Sequence, residues 1–109
     1  MQKSIDDIDF EKSGGLIPII VQDATTKDVL TLAYSNKESL ELTKKTGNSW
    51  FWSRSRNKLW MKGEESGNTQ KVKEILVDCD SDAIIYLVEP SGPACHTGEQ
   101  VCFHNNLEK

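Results

Sequence analysis

One segment of the sequence has a helical pattern, and it lies among short apolar runs with the spacing of β-strands. The strand-like runs cover 15–23, 29–35, 49–55, 58–62, 70–78 and 83–89. Long helices do not alternate with these strands, which disfavours a doubly wound parallel sheet. The pattern therefore predicts an α+β fold that is mainly β, with one short helix near 36–46.

The predicted helix has recognisable start and stop signals. Ser35 and Glu38 have the spacing of a capping box, in which a hydroxyl and a carboxylate satisfy the first free N–H groups. Lys44 and Lys45 suit the negative end of the helix dipole, and Gly47 suits the left-handed position that ends a helix.

Length and composition limit the class of protein. The chain has 109 residues and is 37% hydrophobic, with a mean hydropathy of -0.52. We predict a single domain over 1–109 with a polar N-terminal segment, 1–13. Because a small chain buries little of its surface, we also expect a metal or a second subunit to help stabilise the fold. No apolar run is long enough to span a bilayer, and the N-terminus lacks the apolar core of a signal peptide, so we predict a cytoplasmic protein without membrane association.

The charge distribution favours a small anionic ligand. A net charge of -4 argues against a general nucleic-acid-binding protein. A local basic strip nevertheless contains Arg54, Arg56, Lys58 and Lys62. Arginine side chains match the geometry of phosphate, so Arg54, Arg56 and Lys62 are candidate substrate-binding residues. The alternative is an exposed strand face with ordinary basic residues.

Three tryptophans could stack on nucleic-acid bases or pack in the core. Trp50 and Trp52 share one face of a predicted strand, and Trp60 lies on the next strand. We predict a packing role, because the acidic balance of the chain weakens the case for an RNA-binding protein.

The stretch VDCDSDAI, 77–84, places three carboxylates at alternate positions. If the segment is extended, Asp78, Asp80 and Asp82 lie on one face and Cys79 on the other. Hard carboxylate oxygens are the ligands that Mg²⁺ prefers. The alternative is a solvated acidic turn that connects two strands.

Three cysteines form a second candidate metal site. Cys79, Cys95 and Cys102 are an odd number in a compartment expected to be reducing, which favours metal binding or catalysis over disulfides. Three thiolates suit Zn²⁺ and leave a fourth position for water, whereas His96 as a fourth ligand would close a structural site. Inert buried cysteines are the remaining alternative.

The two histidines differ in their surroundings. His96 follows Cys95 in an irregular loop, where it could act as an acid or base beside a zinc-bound water. His104 lies near the C-terminus, and we expect it to be exposed and to take no part.

These motifs occur in the order found in one enzyme family. DCDSD is followed by GPACHTGEQVCF and preceded by WSRSRNKLWMKGEESGNTQ and by GLIPIIVQD with VLTLAYSNKESL. Together they closely resemble phosphoribosyl-AMP cyclohydrolase, over about residues 14–104. The resemblance implies a hydrolase of histidine biosynthesis that opens the adenine ring of N1-(5-phosphoribosyl)-AMP between ring nitrogen 1 and carbon 6. It also implies a small mixed or antiparallel, pseudobarrel-like sheet in an intertwined homodimer.

The resemblance also assigns roles to the candidate residues. It implies that Cys79, Cys95 and Cys102 bind Zn²⁺ between two subunits, that the aspartates of DCDSD (Asp78, Asp80 and Asp82) bind Mg²⁺, and that His96 moves protons. A fused pyrophosphohydrolase domain, found in some species, is not expected. The competing hypothesis is a non-enzymatic structural zinc module.

Overall fold

The computed structural model describes residues 2–108, except for the side chain of Ser13. In this range the main elements are β1 (Ile17–Asp23), β2 (Val29–Ser35), α1 (Lys37–Thr46), β3 (Trp50–Ser53), β4 (Lys58–Met61), β5 (Gln70–Val77) and β6 (Ile84–Pro90). Two short 3-10 helices, Ile5–Asp7 and Glu11–Ser13, precede them. The predicted mainly β fold with one short helix is confirmed. None of the helices in the described range is long and apolar enough to cross a membrane.

The strands form an open mixed sheet and a separate hairpin. The four-stranded sheet has the order β2-β1-β6-β5, and β3 pairs with β4. The β1–β6 pair is parallel, whereas β1–β2 and β5–β6 are antiparallel. Pro18, which has no N–H to donate, lies at the start of β1, and pairing with β6 begins one residue later at Ile19. The mixed sheet is therefore confirmed, and it is open rather than closed.

The core joins the sheet to the hairpin and to the helix. Alternate residues of β1 are fully buried, as expected for a strand with one face on the core. Phe51 of the hairpin lies with its ring centroid 5.8 Å from that of Tyr86 on β6. The Tyr86 hydroxyl donates to Thr43 Oγ1 of α1 at 3.2 Å. These contacts place the hairpin and the helix on the same side of the sheet.

The helix begins one residue later than the sequence predicts. Asn36 is the N-cap: its side chain accepts from the Ser39 N–H at 2.8 Å, and Ser39 Oγ accepts from the Asn36 N–H at 3.0 Å. The predicted box of Ser35 and Glu38 is wrong, because Ser35 is still paired with Ile17 in β2. The predicted end is confirmed, since Gly47 has a φ of 78°.

The polar N-terminal segment is folded against one end of the sheet. Ile8 is buried in the core, and the partly buried Phe10 packs against this core. The backbone N–H of Asp9 donates to the Ser81 carbonyl, which lies between β5 and β6, at 2.8 Å. This contact brings the segment to the acidic stretch that the sequence analysis identifies as a candidate metal site.

Candidate functional site

The three carboxylates converge at a turn and not along a strand. β5 ends at Val77 and β6 begins at Ile84, so residues 78–83 form a connection that we call the acidic turn. Asp78 Oδ1 accepts from the backbone N–H groups of Asp82 at 3.0 Å and Ala83 at 3.2 Å. Ser81 has a positive φ of 62°, which reverses the chain. The predicted clustering is correct, but the strand periodicity used to predict it is not its cause.

The geometry of the acidic turn suits a divalent cation. One oxygen from each of Asp78, Asp80 and Asp82 lies within 4.8 Å of the other two. Oxygen atoms this close can contact one ion, and carboxylates are suitable donors for Mg²⁺. Within residues 2–108 this is the one group of three or more His, Cys, Asp and Glu side chains that converges in this way.

A lysine that the sequence analysis did not single out contacts two of these carboxylates. Lys12 Nζ lies 3.0 Å from Asp80 Oδ2 and 2.9 Å from Asp82 Oδ2. The hydrogen bond from Lys12 lowers the pKa of Asp80 to about 2. Lys12 also acts to lower the pKa of Asp82, but hydrogen bonds with Asp80 and Asp78 outweigh it and the pKa is raised. The acidic turn therefore holds more negative charge than Lys12 alone neutralises.

The cysteines lie in two places in the chain. All three are free; Cys95 is buried, Cys102 is half-buried, and Cys79 is exposed on the acidic turn. The backbone N–H of Cys102 donates to the Leu30 carbonyl of β2 at 2.7 Å, which fixes this end of the loop to the sheet. The thiols do not form a three-ligand group within the described residues.

Hydrogen bonds from Thr97 favour the thiolate form of Cys95. The Thr97 hydroxyl donates to Cys95 Sγ at 3.0 Å. Hydrogen bonds from the side chain and backbone of Thr97 are the main causes that lower the pKa of Cys95 to about 6, with smaller contributions from His104 and Cys102. A thiolate at neutral pH is the form that binds a metal.

We expect Thr97→Val to raise the pKa of Cys95 toward its ordinary value. Valine keeps the shape of threonine but removes the hydroxyl that stabilises the thiolate. Absorbance of the thiolate near 240 nm, followed against pH in metal-free protein, measures the shift, with Thr25→Val in an exposed turn as the control. Because the folded pKa is depressed, the thiolate stabilises the fold above the unfolded pKa, and this stabilisation disappears as the pH falls through about 6. An unchanged midpoint would contradict the role of Thr97.

The two histidines, which follow Cys95 and Cys102 in the sequence, differ in their contacts. His96 is exposed, as its position in an irregular loop suggests. His104 is exposed as predicted, but its Nε2 atom lies 3.8 Å from Cys95 Sγ. The sequence analysis missed this contact because it depends on the path of residues 96–103, for which the sequence has no periodic signal.

The basic residues lie around the β3–β4 hairpin. Arg54 and Arg56 belong to the turn after Ser53 and not to a strand face, so the predicted extension of this strand to residue 55 is wrong. The Arg54 guanidinium lies 3.9 Å from the centroid of the Tyr34 ring. Arg54 and Tyr34 line an open cleft of about 520 Å³ together with Trp52 and Trp60. Lys62 follows β4 and is half-buried.

The fold and these side chains define a candidate metal-binding protein, with three carboxylates and the Cys79 thiol at the acidic turn and the other two thiols in the chain after β6. Residues 31–104 match the family described as PRA-CH, phosphoribosyl-AMP cyclohydrolase. The chain belongs to the phosphoribosyl-AMP cyclohydrolase family.

Relatives from archaea and bacteria support this assignment. The chain is 85% identical to a phosphoribosyl-AMP cyclohydrolase from Nitrosopumilus maritimus, over 99% of this chain and 100% of the relative. It is 78% identical to one from Cenarchaeum symbiosum, over 98% of this chain and 99% of the relative. It is also 63% identical to a histidine biosynthesis bifunctional protein HisIE from Bacillus subtilis, over 93% of this chain and 48% of that protein.

Proposed function

We propose that this protein hydrolyses the adenine ring of N1-(5-phosphoribosyl)-AMP between nitrogen 1 and carbon 6, as a step of histidine biosynthesis. The observation that carries the proposal is the 85% identity, over nearly the full length of both chains, to a protein named phosphoribosyl-AMP cyclohydrolase. In this reaction one water is consumed and the bond between nitrogen 1 and carbon 6 breaks. With the ring in its neutral imino form, the water oxygen becomes the carbonyl oxygen on carbon 6, one proton ends on nitrogen 1 and the other ends on the exocyclic nitrogen. The exocyclic amine stays as a carboxamide. We also propose a cytoplasmic location.

Zinc is the proposed cofactor for the attack by water. Cys79, Cys95 and Cys102 would hold the ion, and the donor set fits because Zn²⁺ binds soft thiolates. The lowered pKa of Cys95, about 6, further supports this assignment. When bound, such an ion would supply the Lewis-acid chemistry that makes a water molecule nucleophilic at neutral pH.

The positions of the thiols support sharing of the zinc ligands between two chains. Cys79 is exposed on the acidic turn, apart from the loop that carries the other two cysteines. We propose an intertwined homodimer in which Cys79 of one protomer completes the site of its partner. Exposed apolar side chains on the edge strands support such an interface: Val29 and Leu32 on β2, and Leu76 on β5. We also propose that this homodimer has the pseudobarrel-like arrangement of strands that the family resemblance implies.

Magnesium is the second proposed cofactor. Asp78, Asp80 and Asp82 would bind it at the acidic turn, and the close approach of their oxygens supports this assignment. Arg54, Arg56 and Lys62 are the proposed contacts for the two phosphates of the substrate. The position of Arg54 and Arg56 in an exposed turn leaves their guanidinium groups accessible.

His96 is the proposed proton carrier. It is exposed and directly follows Cys95, so its imidazole can reach a substrate beside the zinc ligands. We expect His96→Ala to lower kcat by about 10²–10⁴-fold, the usual contribution of a general acid or base. Zinc content is measured in parallel and should not change, because His96 is not a proposed ligand. An unchanged kcat would remove His96 from the chemistry.

The direct test is to follow ring opening of N1-(5-phosphoribosyl)-AMP by ultraviolet absorbance, with purified protein, zinc and magnesium. Activity that requires zinc supports the proposal. The competing hypothesis is a structural zinc module, and the 3.8 Å separation between His104 Nε2 and Cys95 Sγ is the observation that favours it. X-ray absorption of the zinc-loaded protein separates the two: four protein ligands indicate a structural site, whereas three and a water indicate a hydrolase.

A further inference from the structure

We propose that Lys12 is an internal counter-ion that competes with a divalent cation for the acidic turn. In the metal-free protein its ammonium group partly neutralises the carboxylates, and a bound cation displaces it. This inference rests on the proposed magnesium site and adds to it a residue that sets the affinity of that site.

The competition follows from the positions of the oxygen atoms. Lys12 Nζ lies 3.0 Å from Asp80 Oδ2 and 2.9 Å from Asp82 Oδ2. A magnesium ion lies about 2.0–2.1 Å from its ligands, so an ion on the same two oxygens would lie at most about 5 Å from Nζ. An ammonium group has three donors and no acceptor, so it cannot join the coordination sphere. The two cations therefore repel each other at a site that each can occupy alone.

The backbone around Lys12 is anchored to the acidic turn. The Lys12 N–H donates to Asp9 Oδ1 at 3.1 Å, and the Asp9 N–H donates to the Ser81 carbonyl at 2.8 Å. Lys3 Nζ reaches Ser81 Oγ at 2.6 Å from the other end of the segment. These contacts hold the base of the Lys12 side chain beside the carboxylates, whether or not its ammonium group binds them.

The Lys12 side chain itself is free to move away. It is 48% exposed, so the ammonium group can leave the carboxylates for water by rotation of a flexible chain. Displacement does not require the segment to unfold. A cation therefore competes with Lys12 for the site and is not excluded by it.

Metal titration of substrate-free protein tests the proposal. Lys12→Gln removes the charge and keeps a long polar side chain, whereas Lys12→Arg keeps the charge. Lys45→Gln, on the exposed face of α1, is the matched control for a lost positive charge.

Affinity for Mn²⁺ and Mg²⁺ is measured by calorimetry, without substrate. We expect Lys12→Gln to bind both ions more tightly than the wild type, by up to about fivefold, since loss of an exposed ion pair has effects of this order. Lys12→Arg and Lys45→Gln should bind them as the wild type does.

Thermal unfolding gives a second measurement. Metal-free Lys12→Gln should melt at a lower temperature than the wild type, because the three carboxylates then repel one another without the Lys12 ammonium between them. Mn²⁺ should raise the melting temperature of this variant by more than that of the wild type. Equal or weaker cation binding by Lys12→Gln would overturn the proposal. Absence of cation binding in every variant would overturn it together with the magnesium site. Failure of the ring-opening assay alone would reject the proposed function and leave this result unaffected.

Discussion

Cys95→Ser is expected to lose zinc and to lower kcat by at least about 10³-fold. Serine has nearly the size of cysteine, but its hydroxyl is not ionised at neutral pH and its oxygen is a poor ligand for Zn²⁺. Without the ion, the pKa of the attacking water rises far above neutral pH, so the nucleophile is almost absent. Zinc content by elemental analysis and steady-state kinetics on N1-(5-phosphoribosyl)-AMP measure the two effects.

The Cys95→Ser result needs a control for folding. Asn105→Ser changes an exposed polar residue close to the same loop and should keep both zinc and activity. Circular dichroism should show the same β content in both variants, because the core of β1, β6 and Phe51 does not include Cys95. A Cys95→Ser protein that turns over at the wild-type rate without zinc would reject the proposed mechanism.

Mixing two inactive variants is expected to restore activity if the zinc site spans two chains. In a mixed dimer of Cys79→Ser and Cys95→Ser, one site carries both substitutions and the other carries none. Random pairing puts about half of the dimers in the mixed form, each with one intact site of two, so about a quarter of the wild-type activity should return. Co-refolding of the two denatured variants in equal amounts, followed by the activity and zinc assays, measures the recovery.

The pair Cys95→Ser and Cys102→Ser is the matched control. Both substitutions fall on the side of the site that one chain supplies, so every site in every dimer is damaged and no activity should return. Recovery in both pairs, or in neither, would contradict the proposed division of ligands. The experiment thus tests the assembly with a readout that a single-chain zinc site cannot produce.

Local sequence patterns were enough to predict most of the fold. The apolar run that forms β1 and the alternating run that forms β2 identify strands, because side chains on one face of a strand recur every two residues. Gly47 marks the helix end for a local reason, the ease with which glycine adopts a positive φ. The helix start was missed by one residue because Asn36 and Ser39, and not Ser35 and Glu38, make the capping hydrogen bonds, while Ser35 is paired with Ile17 at the end of β2.

The convergence of the three aspartates was predictable from the sequence, but the geometry that produces it was not. The sequence predicts that Asp78, Asp80 and Asp82 cluster, and they do, but through hydrogen bonds in a turn that alternation does not describe. Arg54 was placed on a strand, whereas it lies in a turn and stacks on Tyr34, twenty residues away in the chain. The role of each proposed ligand stays a prediction until metal is bound and measured.

The sequence by itself determined the order of strands and helix, the family, and the residue types available for metal chemistry. Only the tertiary structure decided which charges and thiols have neighbours: Lys12 at Asp80, 68 residues away, and His104 at Cys95. The physical reason is that the two kinds of interaction act over different separations along the chain. Strand and helix signals act between residues a few positions apart, whereas electrostatic and hydrogen-bonding contacts depend on distance in space, which is set by the packing of the whole chain.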